Sequence, residues 1–250
     1  MRTIFTFIMI VCLLSACGAS SDSRNTNEGA PSPSKQAEEV MTHSPEPQPA
    51  EVEKAVEAPE TLNQAKDVYA LIPSGWEVLD KDGPVIAQGD LNKDGIQDTA
   101  MIIEAQDKGG QEAPPRALLI AFGSSVGEFS LSILADQVIL KSDEGGVWGD
   151  PLESLAIDRG SVVVSHYGGS NWRWYSKYRF RYQDGDWYLI GATKGESFTG
   201  DGSQREEDEN LLTGDYIITT TDEKGKVTTE QGNRGKQGLI KLADFDIRNR

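Results

Sequence analysis

The chain has 250 residues and carries 24 Lys plus Arg against 40 Asp plus Glu, a net charge of −16 at neutral pH. Nucleic-acid-binding domains show a basic bias, so this balance argues against nucleic acid as a partner and suits a surface bathed in cations. With only Cys12 and Cys17 in the sequence, both in its first stretch, the bulk of the chain must fold without disulfides or thiolate metal sites.

The chain opens on Met1-Arg2-Thr3, followed by an almost wholly apolar run from Ile4 to Leu14 and then Ser15-Ala16-Cys17. A membrane-spanning helix needs roughly 20 apolar residues, so the run is too short to span. A charged start, a short apolar core and small residues before a cut describe a secretory signal. Leu14-Ser15-Ala16-Cys17 resembles the lipobox of bacterial lipoproteins. That resemblance implies cleavage before Cys17, a diacylglycerol and palmitate on the new N-terminal cysteine, and Gly18 as the next mature residue. It also implies an extracytoplasmic face, on the cell membrane or the outer membrane, with the lipid as the membrane partner. Several acyl chains hold far more firmly than one, because each buried methylene contributes about 0.8 kcal/mol. Cys12 leaves with the signal.

Residues 18–65 change character: Ser, Asn, Pro, Glu, Gln and Ala dominate, prolines recur at Pro31, Pro33, Pro45, Pro47, Pro49 and Pro59, and aromatics are missing. Such a stretch cannot bury enough apolar surface to offset chain entropy, and it reads as a disordered tether. Its last part, Val52 to Lys66, has the Ala, Glu and Lys content of a short helix packed on the domain. Residues 66–250 then read as one β-rich domain. At about 185 residues it buries near 70% of its unfolded surface, enough for a core without staples.

From Tyr69 onward, turn signals punctuate short runs of Val, Ile, Leu, Thr, Tyr, Phe and Trp, an all-β signature of antiparallel hairpins. Expected strands are Trp76 to Leu79, Val85 to Gln88, Thr99 to Glu104, Ala117 to Phe122, Phe129 to Leu134 and Gln137 to Lys141. Further strands are expected at Leu155 to Ile157, Val162 to His166, Trp172 to Tyr182, Trp187 to Ala192, Tyr216 to Thr221, Val227 to Glu230 and Leu239 to Leu242. Asp158-Arg159-Gly160, Gln183-Asp184-Gly185-Asp186 and Asp222-Glu223-Lys224-Gly225 read as hairpin turns, whose Gly supplies a positive φ. Closure as a sandwich, a barrel or a partial propeller stays open at this level. The acidic stretch Asp201 to Glu209 reads as a solvated loop.

The strand from Trp172 alternates. Trp172, Trp174, Ser176, Tyr178, Phe180 and Tyr182 share one face, while Arg173, Tyr175, Lys177, Arg179 and Arg181 share the other. The first set is expected to be core. The second is expected to pair with neighbouring carboxylates, with display to an anionic ligand as the alternative.

Gly89-Asp90-Leu91-Asn92-Lys93-Asp94-Gly95-Ile96-Gln97-Asp98 sets Asp, Asn, Asp and Asp at positions 1, 3, 5 and 9 of a tight loop with glycine at 6. Oxygen donors at alternating positions on a glycine-bent backbone suit Ca²⁺. Asp90, Asn92, Asp94 and Asp98 are the expected side-chain ligands, and Ile96 the carbonyl ligand. Position 12 is Met101 in place of the bidentate Glu of an EF-hand, and a strand follows in place of a helix. The loop resembles the calcium loops of FG-GAP and VCBS repeats, which sit between two strands. It occurs once, so the resemblance implies a strand-loop-strand calcium site and not a full propeller.

Gly145 to Pro151 and Ser165 to Trp174 are dense in Gly, Trp and polar residues. With the Gly89–Gly95 loop and the hairpin from Phe180 to Gly191, they resemble a family of uncharacterised bacterial lipoproteins, which implies one folded unit and no particular chemistry. Trp148, His166, Trp172, Arg173 and Trp174 are the candidate ligand-binding residues, with the tryptophans as a platform for sugar rings. His166 is the only histidine after the tether. There is no H-E-x-x-H, and no Ser and carboxylate can be identified as partners of His166, so no triad or zinc hydrolase can be assembled from motifs. The expected function is a calcium-stabilised, non-catalytic module that binds a cell-envelope glycan or protein. The competing expectation is an enzyme acting on glycan or peptidoglycan through a cleft near His166.

Overall fold

The structure, a computed structural model, describes residues 63–107 and 109–250. Cys17, the signal and most of the tether expectation lie outside the described residues. The described part is all-β and antiparallel, as expected. One sheet holds β1 (Gln64–Ala65), β2 (Trp76–Val78), β3 (Ile86–Gly89), β4 (Asp98–Ala105), β5 (Arg116–Gly123) and β6 (Phe129–Ala135), in the order β1-β6-β5-β4-β2 with β3 also on β4. The second is a plain meander of β7 (Leu152–Asp158), β8 (Ser161–Gly169), β9 (Trp172–Gln183), β10 (Asp186–Phe198), β11 (Gln204–Asn210), β12 (Asp215–Thr221) and β13 (Val227–Asn233).

The two sheets pack face to face. Ala100, Ile102, Leu118 and Ile120 from the first meet Val162, Val164, Tyr178, Phe180 and Leu189 from the second in one buried core. The intervening residues of β4 and β5, Met101, Ile103, Leu119 and Ala121, point the other way and are also fully buried. They are covered by a 3-10 turn, Val68–Leu71, with Trp76, Phe129 and Leu131 around it. That double burial explains why β4 and β5 read as continuous apolar runs while β9 alternates. Near the β3 and β7 edges the sheets come close. A Cβ at Gly89 would lie 2.7 Å from Ile157 Cγ2, so glycine is what admits the approach.

The hairpins at Arg159-Gly160 and Asp184-Gly185 place both central residues at positive φ, 50° and 67°, and 53° and 79°. That is the primed-turn backbone the right-handed strand twist requires.

Four expectations are corrected. Gln64 and Ala65, assigned to the tether and to the end of a helix, pair with Ser130 and Phe129 as β1. The rest of that helix expectation, residues 52–62, lies outside the described residues. Gln137 to Lys141 forms no strand although Val138, Ile139 and Leu140 are buried. Its polar backbone groups are satisfied elsewhere: the Gln137 carbonyl accepts from the Ile247 amide, and the Leu140 amide reaches His166. Leu239 to Leu242 makes one bridge, Lys241 to Tyr188, and then a 3-10 turn, Leu242–Asp244. The acidic stretch from Gln204 to Asn210 is a strand, β11, hydrogen-bonded to β10 on one side and β12 on the other. It has no core face, so it carries no apolar alternation. Ladder bonds place it, with polar side-chain contacts such as Thr193 to Asp208 and Arg234 to Glu207.

Candidate functional site

The bend between β3 and β4 has a buried base and an exposed crown. Leu91 is fully buried and roots the bend in the core. Lys93 and Gly95 take φ of 68° and 83°, which curls the backbone between them. Asp90 accepts hydrogen bonds from the Lys93 and Gly95 amides at 2.7 and 3.1 Å. Asn92 accepts from the Asp94 amide at 3.0 Å, and Asp94 from the Ile96 amide at 2.7 Å.

Asp98 behaves differently. It is completely buried. One oxygen accepts from the Leu91 amide at 2.7 Å and the Asn92 amide at 3.3 Å. The other accepts from the Gly123 amide at 2.9 Å, which ties the bend to β5. Glycine is required there, because a Cβ at position 123 would stand 2.3 Å from the Gln97 carbonyl oxygen. Burial pushes the Asp98 carboxyl up despite those three amides, and the nearby Asp94 charge adds to the rise. The residue expected as a fourth calcium ligand is thus the clamp that builds the loop.

For Ca²⁺ the crown has the right chemistry in part. Its donors are all oxygen, and Asp90 and Asp94 have no cationic partner among the described ion pairs. Among the described residues, however, no three His, Cys, Asp or Glu side chains are gathered as a metal site. Asp90, Asn92 and Asp94 each accept local backbone amides, which fixes their side chains in the bend.

The Trp and His cluster expected from sequence is divided by the sheet itself. Trp148, half exposed, lies with the Arg173 guanidinium 4.3 Å above its ring, and Arg173 donates to the Tyr167 hydroxyl at 2.8 Å. Arg173 and Tyr167 are on the outer face of β8 and β9. Trp174 and His166 are on the inner face, and Trp172, exposed near the strand end, stacks beside Phe198 with centroids 5.0 Å apart. The period of two sets Arg173 and Tyr167 on the face opposite Trp174 and His166.

His166 is 1% exposed and does not line a cleft. Its Nε2 accepts from the Leu140 amide at 3.4 Å, and Nδ1 has no partner. Burial pushes its pKa down to about 4, so it is a neutral core residue at physiological pH.

An open cleft of about 710 Å³ does lie on the inner face, where the first sheet leaves β9 and β10 uncovered. Trp174 and Tyr178 contribute aromatic surface, and Lys194, Glu196, Arg205 and Arg248 contribute charge. Sequence reasoning picked out Trp174 alone for this role. Strand alternation placed Tyr178 beside it, but the charged wall comes from β10, β11 and the C-terminal turn, which only the sheet order brings together.

A buried ion-pair network stands behind this region. Arg116, 3% exposed, binds Asp150 through two hydrogen bonds of 2.7 and 2.8 Å and Glu104 through one of 2.7 Å. It pins the 136–151 segment to β4 and β5. Compared with known proteins, the chain matches no family model, no curated protein and no solved structure.

Proposed function

We propose that the chain is a lipid-moored, extracytoplasmic lipoprotein whose β domain acts as a non-catalytic binding module of the cell envelope and takes Ca²⁺ at the Asp90–Asp98 bend. The observation that carries the calcium reading is the crowding of charge in that bend. Asp94 already raises the proton affinity of the buried Asp98, and the Asp90 and Asp94 carboxylates have no cation among the described ion pairs to offset them. A divalent cation held by Asp90, Asn92, Asp94 and the Ile96 carbonyl would supply that charge. Asp98, the remaining ligand expected from the spacing, also supports the loop from below through the Leu91, Asn92 and Gly123 amides. The open cleft beside Trp174 is the surface on which a glycan or protein of the envelope would rest.

The test is a thermal melt with Ca²⁺ and with chelator. At a hundredfold excess over Kd, ligand linkage contributes about 2.7 kcal/mol. For a domain of this size that raises Tm by about 5–10 °C. Identical transitions in the two buffers would remove the calcium claim. The anchor is checked separately by fractionation. The wild-type chain is expected in the membrane fraction, and the Cys17→Ala chain outside it. A Cys17→Ala chain still sedimenting with membranes would refute the lipid attachment.

A further inference from the structure

The outer face of the meander carries a feature that neither the calcium bend nor the cleft uses. Lys177, Arg179 and Arg181 project from one face of β9, and Arg159 joins them along a groove of about 490 Å³. The sequence leads one to expect their neutralisation by acidic residues on neighbouring strands, and of the three on β9 the ion pairs meet it for Arg179 alone. Lys177 stands opposite Ser165 on β8 and Thr193 on β10. Arg179 stands opposite Val163 and Gly191.

Only the middle cation is matched in full. Arg179 binds the Asp158 carboxylate at 2.7 Å and its carbonyl at 2.9 Å. Arg159 makes a longer contact to the same carboxylate, 3.3 Å. Arg181 bonds only the amide oxygen of Gln183, and Lys177 has no carboxylate partner among the described residues. On the far wall Asp208 is held by the Thr193 hydroxyl at 2.6 Å, and Glu209 is paired with Arg234. Ser165 and Thr193 flank Lys177 and Gly191 flanks Arg179 on the β10 side, whereas Arg181 stands opposite Tyr188.

We infer that this row binds a linear anionic chain of phosphodiesters laid along β9. Same-face residues of a strand repeat at about 6.7 Å, so the three cations form a ladder whose outer rungs, Lys177 and Arg181, have no carboxylate partner among the described ion pairs and whose middle rung, Arg179, is shared with Asp158. Guanidinium and ammonium groups on such a ladder match singly charged phosphates that repeat along a polymer, where a compact anion would engage one rung. On a chain of net charge −16 the ladder also gives the molecule a defined orientation toward a polyanion. This inference is independent of the calcium reading.

The test uses the full chain and poly(glycerol phosphate), whose charges are separated by a glycerol unit, at low ionic strength. Saturable binding that weakens with salt is expected. Lys177→Gln with Arg181→Gln should weaken it by about tenfold or more and flatten the salt dependence. Lys224→Gln with Lys226→Gln, the same charge change in the β12–β13 turn, should leave affinity nearly unaltered. Failure of the wild type to bind, or equal losses in the two double variants, would overturn the inference. Equally tight binding of polygalacturonate, a carboxylate chain, would overturn the phosphate assignment.

Discussion

Asp98→Asn is expected to destabilise the domain by about 2 kcal/mol, and Asp98→Ala by about 4 kcal/mol, because a buried amide left without its acceptor costs about 1–3 kcal/mol. The carboxylate of Asp98 serves three backbone donors, the Leu91 and Asn92 amides through one oxygen and the Gly123 amide through the other. Asparagine keeps the shape but turns one acceptor into a donor. Whichever way its amide is set, an N–H group meets either Gly123 or the Leu91 and Asn92 pair. Alanine strands all three. Urea unfolding of the two variants measures the loss. Run with Ca²⁺ and with chelator, it also separates a clamp from a ligand. A clamp loses the same stability in both buffers, whereas a ligand loses it only when the ion is present. Wild-type stability in Asp98→Asn would refute the clamp.

Acidification is expected to drain about 3 kcal/mol of stability through His166 alone, since one pKa unit corresponds to 1.36 kcal/mol. Burial pushes the imidazole down to about 4, against an ordinary value of 6.5. Between those values the unfolded chain binds a proton that the folded chain refuses. The contribution is therefore complete above the unfolded value and disappears as the pH falls toward the folded one. Asp150 and Glu144 act in the same direction at lower pH. Burial raises both, but the hydrogen bonds from Arg116 and the Leu152 amide to Asp150, and from Arg248 and the Lys141 amide to Glu144, together with the nearby positive charges, outweigh it and hold the carboxyls below their ordinary range. Comparing the wild type with His166→Gln, whose amide oxygen can still accept from Leu140, isolates the histidine. The variant should lose the slope between about pH 6.5 and 5, where carboxylates of depressed pKa are silent. Parallel stability curves would show that the imidazole does not titrate as argued.

Strand identity was legible wherever burial was one-sided or complete. The alternation from Trp172 to Tyr182 places Ser176, Tyr178 and Phe180 in the core. The apolar runs of β4 and β5 follow from burial on both faces. Legibility failed in two opposite ways. Gln204 to Asn210 has strand geometry and no hydrophobic pattern, because β10 and β12 supply its partners and neither of its faces meets the core. Val138 to Leu140 has the pattern and no strand, because the segment's polar backbone groups find His166 and the C-terminal turn.

The candidate site divides the same way. The Asp90–Asp98 bend was visible as spacing, since oxygen-bearing side chains at alternate positions around a glycine constrain a loop locally. That Asp98 would be the clamp depends on Gly123, a residue of another strand, so no local pattern contains it. His166 stood out as a lone titratable group, yet its neighbours across the sheet make it a neutral part of the core.

Residue order alone, through hydropathy period and turn chemistry, determined that this chain folds as hairpins with a sharp acidic bend between two of them. Those are contacts within a few residues, where backbone geometry leaves little choice. The tertiary structure decided which side chains face one another: the separation of Trp148 from Trp174, the burial of His166, and the exposure of Lys177 between Ser165 and Thr193. Strand order and register set these pairings, and both are chosen by the packing of two whole sheets rather than by any one segment.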